Sequence, residues 1–203
     1  MKNYTKIILP CLTALALTAC VTTGWNATQH TDEFTGTKMC RVERGTESER
    51  DFARGFTGIY YTQHFYAENH NGQVRAGIRT EPPLPIGGDV QIKVGGKLYT
   101  LTSADTPLDV APTIPTNTDA ARKAMGNAYA DTLDNMTKDI QRLSSPYRAF
   151  TGKKAIALLR DMANTSEEIK FRVVGVNSTI SGTGSFKTGS DFAASLNSCG
   201  IKL

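Results

Sequence analysis

The sequence predicts a mainly β fold, an antiparallel β-sandwich with a helical insert around residues 117–162 and a short C-terminal helix. Three observations predict it. Val90-Gln-Ile-Lys-Val94, Gly95-Gly96 and Lys97-Leu-Tyr-Thr-Leu101 have the pattern of a two-residue hairpin. Residues 56–67 and 169–174 are rich in aromatic and β-branched side chains, which suit a pleated, half-buried surface. Residues 117–143 instead repeat apolar side chains at spacings of three and four, the helical period.

Taken in order, Lys38 to Val42 alternate so that Cys40 and Val42 share a buried face. Along 56–67, alternation places Ile59, Tyr61 and Phe65 on one face and Phe56, Tyr60 and Tyr66 on the other. Asn69-His70-Asn71-Gly72 reads as a turn, with a returning strand from Val74 to Thr80. Pro82, Pro83 and Pro85 then end the sheet, because proline cannot donate to a ladder. The hairpin pairs Val90 with Leu101 and Ile92 with Tyr99, leaving Gln91 and Lys93 on the opposite face.

Residues 104–116 carry three prolines and read as a connection. Asn117 or Thr118 caps a helix whose apolar positions are Ala121, Met125, Ala128, Tyr129, Met136, Ile140 and Leu143. Gly126 weakens its middle, giving one bent helix or two, and Ser145-Pro146 ends it. A second helical stretch runs from Lys153 to Met162. Ile169, Phe171 and Val173 form one face of a strand, Asn177 to Gly184 reads as a turn region, and Ser185 to Lys187 as a short strand. Ser190 caps the last helix.

The amino terminus carries Lys2 and Lys6, a short apolar run from Ile7 to Leu17, and then Leu17-Thr18-Ala19-Cys20. The run is too short for a permanent membrane span. It resembles a bacterial lipoprotein signal peptide with its lipobox. The resemblance implies that Cys20 becomes the first mature residue and carries acyl chains, palmitate among them. The division expected is a signal at 1–19, a lipidated tether at 20–37 and one β-rich domain at 38–203. Val21 is not the Asp that resembles an inner-membrane retention signal, so enterobacterial sorting implies the outer membrane, facing the periplasm.

The formal charge of +4 falls to +2 once Lys2 and Lys6 leave with the signal. That balance excludes the strong basic field of a nucleic-acid binder. Of four cysteines, Cys11 lies in the apolar run and Cys20 at the lipidation site. Cys40 and Cys199 remain, in a compartment that permits disulfides. Phe192, Leu196 and Cys199 share one helical stripe, so both sulfurs face the core. A bond would close a loop of about 160 residues; the alternative is two buried thiols.

No catalytic motif is present: GxSxG, HExxH, a complete P-loop and GxGxxG are all absent. His64, Tyr66, Glu68 and His70 share one strand face. Alternate strand residues lie about 6.5–7 Å apart, so these donors cannot converge on one metal without a bulge. No cofactor and no metal are therefore expected. Tyr60, Tyr66 and His64 form a candidate binding strip if their face is open, since exposed tyrosines favour protein and glycan contacts. Cover by the helical insert is the alternative. The mixed charges from Arg41 to Arg54 read as a solvated loop or edge.

Three segments resemble the invasion-associated locus B-like family of bacterial envelope proteins. They are Trp25 with Asp32-Glu-Phe-Thr-Gly-Thr-Lys-Met-Cys40-Arg-Val42, the Val90 to Lys97 hairpin, and Phe186 with Asp191 to Cys199. They cover about a third of the mature chain. The resemblance implies an exported, disulfide-tied β-sandwich without assigned enzymatic activity, and it supports a Cys40–Cys199 bond. The function expected is that of a non-catalytic envelope lipoprotein. It is held to the membrane through Cys20 and engages an envelope protein partner, with small-ligand or glycan binding as the alternative.

Overall fold

The computed structural model describes residues 24–44, 52–54, 60–175, 177–180 and 183–203, without the side chains of 52–54, 60 and 61. Among the described residues ten strands form two antiparallel sheets. The larger runs β1 (Trp25–Thr31), β2 (Lys38–Arg44), β4 (Tyr60–His70), β5 (Gln73–Glu81), β8 (Tyr147–Thr151), with β3 (Phe52–Arg54) also paired to β4. The smaller is ordered β10 (Gly184–Phe186), β9 (Ile169–Gly175), β6 (Gly88–Val94), β7 (Lys97–Leu101). The helices are α1 (Thr118–Met125), α2 (Asn127–Leu143), α3 (Gly152–Ala163) and α4 (Asp191–Ser198). Among the described residues no helix is long and apolar enough to cross a membrane.

Period-two patterning sets the core. Val42, Ala67, Ala76 and Phe150 occupy one cross-strand row of the large sheet. Val90, Ile92, Phe171 and Phe186 supply the inner face of the small one, and all join one cluster with Leu158 and Met162 of α3 and Phe192 and Leu196 of α4. The Gly95-Gly96 hairpin has the expected register, Val90 opposite Leu101 and Ile92 opposite Tyr99. Both glycines have positive φ, 50° and 83°, as a primed two-residue turn requires. Gly126, at φ 86°, separates α1 from α2, so the helical region is two helices.

Four expectations change. Residues 25–31 of the expected tether form β1, because Trp25 is an anchor: it is 5% exposed and lies 4.6 Å from the Phe192 ring. Its backbone N–H donates to Asp191 at 2.6 Å, its indole to the Lys187 carbonyl, and its carbonyl accepts from Ser195. The charged stretch from Arg41 to Arg54, expected as a solvated loop or edge, contains the end of β2, which lies between β1 and β4, and β3. The helical region is interrupted by β8, whose Tyr147 to Thr151 extend the large sheet beyond β5. Ser190 precedes α4 without a side-chain cap bond.

Cys40 and Cys199 are disulfide-bonded, 159 residues apart, with Cα atoms separated by 5.2 Å. Beside them Asn69 donates to the Cys199 carbonyl at 2.9 Å, tying α4 to β4. The crosslink removes loop entropy from the unfolded chain, so replacing both cysteines by Ala should lower the unfolding free energy by about 3–5 kcal/mol. Urea denaturation checks this, and a loss under about 1 kcal/mol would leave the Trp25 contacts as the main tie between the chain ends.

Candidate functional site

The outer face of the large sheet carries the residues that the sequence singles out. Register places Arg41, Glu68 and Arg75 in one row and Glu43, Tyr66 and Gly77 in the next. His64, Arg79 and Tyr147 follow. This face is not an open strip. Glu68 is 1% exposed and accepts from Arg41 at 2.9 Å and Arg75 at 3.2 Å. Arg75 reaches on to Asp109, on a single 3₁₀ turn at Leu108–Val110. Thr106 closes from the same connection, its hydroxyl at 3.5 Å from the Tyr147 carbonyl.

Tyr66, read from the sequence as part of an exposed strip or as covered by the helical insert, is fully buried. Its ring packs edge-on to Tyr147 at 5.4 Å, and the Arg41 guanidinium lies over it. Burial first, then Glu68, pushes the phenol's pKa well up, and among the described residues its hydroxyl has no hydrogen-bond partner. Cover comes from this proline-rich connection, joined to the sheet by the Arg75–Asp109 pair; the sequence showed it only as a loop. Tyr60's side chain lies outside the described residues, as does Cys20.

His64 is half-buried, hydrogen-bonded to the Thr62 hydroxyl at 2.8 Å and 3.8 Å from Glu81. Glu68, engaged by two arginines, is not free to join His64 and His70 at a metal. No metal-binding group of three His, Cys, Asp or Glu exists among the described residues. The strip of Tyr60, Tyr66 and His64 is thus not assembled as an exposed aromatic surface.

What the surface does present is an apolar stripe on the helical hairpin. Met125 is 62% exposed, Tyr129 46%, Met136 57%, Ile140 49% and Leu143 54%. With Leu133, the α2 positions 129, 133, 136, 140 and 143 are spaced four, three, four and three, the a/d seam of a coiled coil. Ala130 and Thr137 are the α2 residues that turn inward and are buried. The α2 seam spans about 21 Å. Its apolar periodicity was legible in the sequence; its orientation to solvent was not.

α2 is pinned at its C-terminus. Arg148 of β8, 1% exposed, donates to the Arg142 carbonyl at 2.9 Å and reaches the Leu143 carbonyl at 3.4 Å. It also bonds Ile86 and Gly88 at the start of the small sheet. No sequence motif marks Arg148. Elsewhere Lys97, Tyr99 and Asp161 form an exposed cluster in which the Asp161 hydrogen bond raises the lysine's pKa and lowers the carboxylate's. All three partners are mutually satisfied.

No protein-family model, curated protein or solved structure matches this chain.

Burial, then Arg79, lowers the His64 pKa below its ordinary value of 6.5, against the opposing charges of Glu81 and Glu43. As pH falls through that value the unfolded chain takes up the proton first, so this part of stability is present above the unfolded pKa and lost below it. His64→Gln should flatten the decline in Tm between about pH 7 and 5. An unchanged slope would show that His64 titrates alike in both states.

Proposed function

We propose that this chain is a non-catalytic envelope lipoprotein that docks an amphipathic helix of another envelope protein onto the α2 seam. The exposed stripe carries the reading. Large contiguous apolar surface on a soluble domain marks interaction sites. Its four–three spacing fits the ridges of a second helix better than a flat strand or a small molecule. Two heptads of seam are short for a stable homodimer, whose interface needs about 1,200 Å² or more, so a larger partner contact is the better occupant.

Two further features support the envelope setting. The Cys40–Cys199 bond suits an oxidising compartment. Acyl chains on Cys20 would leave five residue steps before β1, about 17 Å at full extension, and so hold the domain close to the bilayer. The resemblance to the invasion-associated locus B-like family agrees with an exported, disulfide-tied β domain.

Cross-linking in the native envelope, with partners identified by mass spectrometry, tests the proposal. One stoichiometric partner is expected, weakened about tenfold or more by Ile140→Asp and lost with Cys20→Ser. A partner set indifferent to Ile140→Asp, or no reproducible partner, would overturn it.

A further inference from the structure

We infer that the outer face of the four-stranded sheet binds a phosphomonoester through Lys93, Lys170 and Arg172. The inference is independent of the α2 seam. Lys93 on β6 and Lys170 on β9 are direct cross-strand partners, and Gln91 and Arg172 form the adjoining pair on the same face. Like charges directly opposite on antiparallel strands repel, their Cβ atoms being about 4.5–5.5 Å apart. A sheet selected for stability alone would set an acid against one of them.

Acids nearby do not neutralise the group. Glu168 is 3.9 Å from Lys170 and accepts from Ser185 at 2.8 Å, while Asp89 lies one row beyond Gln91 on the same face. Among the described residues, Lys93 and Arg172 have no ion-pair partner. Gln91 accepts from Arg172 Nε at 2.9 Å, which orients the guanidinium.

The cations line a cavity of about 460 Å³ together with Gln91, Leu98 and Thr183. A phosphomonoester carries about −1.5 to −2 charges near neutrality and three strong acceptor oxygens. It could therefore meet two ammonium groups and one guanidinium at once. A carboxylate, with two oxygens and one charge, would leave a cation unmatched. Leu98, 57% exposed on the rim, offers an apolar contact to whatever the phosphate is attached to.

The same chemistry occurs on a free phosphate and on a lipid headgroup, so the test uses both. The purified chain is titrated with inorganic phosphate and with dihexanoyl phosphatidic acid, following the amide and lysine resonances of β6 and β9 by NMR. Both probes should shift Lys93 and Lys170, and binding should weaken at least tenfold in Lys93→Gln/Lys170→Gln and at high salt. Because the substitutions relieve repulsion, the variant's Tm in phosphate-free buffer should not fall, which separates lost binding from lost folding. Tighter binding of the lipid with shifts at Leu98 identifies a headgroup as the source, and equal binding identifies free phosphate. Shifts absent for both probes, or retained in the double variant, would overturn the inference.

Discussion

One buried guanidinium joins the three parts of this molecule. Arg148 sits on the inner face of the large sheet, in the row of Phe65 and Ile78, where an apolar residue would be expected. Its donors meet backbone carbonyls of Ile86, Gly88, Arg142 and Tyr147, so the charge is held by dipoles and no carboxylate contacts it among the described residues. Burial lowers its pKa, and the carbonyl cage offsets the desolvation that a buried cation otherwise suffers. The Arg142 carbonyl, with that of Leu143 at 3.4 Å, belongs to the last turn of α2, the negative end of the helix dipole. The large sheet, the entry to the small sheet and the end of α2 are thereby fixed to one another. That attachment lets α2 keep an apolar stripe in solvent instead of collapsing it onto the body.

The chain ends form the second constraint. Trp25 is seated among Phe65, Phe186 and Phe192, and its backbone is clamped to α4 by Asp191 and Ser195. The disulfide fastens the other end of α4 to β2. Any pull transmitted from a membrane anchor at Cys20 would meet this doubly held edge first.

The sequence revealed the parts governed by local patterning. The glycine hairpin, the alternating faces of β4 and β9, the α4 stripe and the facing of both cysteines toward the core follow from periods of 2 and 3.6. It did not reveal parts governed by tertiary partners. β1 is polar apart from Trp25, and only the aromatic seat and β2 make it a strand. β8 is five residues long and its apolar signal is interrupted by Arg148, whose partners lie as far as 62 positions away. Tyr66 and Glu68 read as an open polar face because alternation gives a side, not its cover. The cover is a proline-rich connection whose decisive residue, Asp109, has no local signature.

The central claim is that the α2 seam is occupied in the native envelope. Methionine oxidation reports it directly, because thioether reactivity follows exposure. Met125 and Met136 are each more than half exposed, whereas Met162 is fully buried and serves as the internal reference. Dilute peroxide would be applied to intact envelopes and to the purified chain, with the sulfoxides mapped by mass spectrometry. The account predicts that Met136 is oxidised readily in the purified chain and protected in the envelope, while Met162 stays unreactive in both. Equal oxidation of Met136 in the two preparations would mean that nothing covers the seam, and would contradict the account.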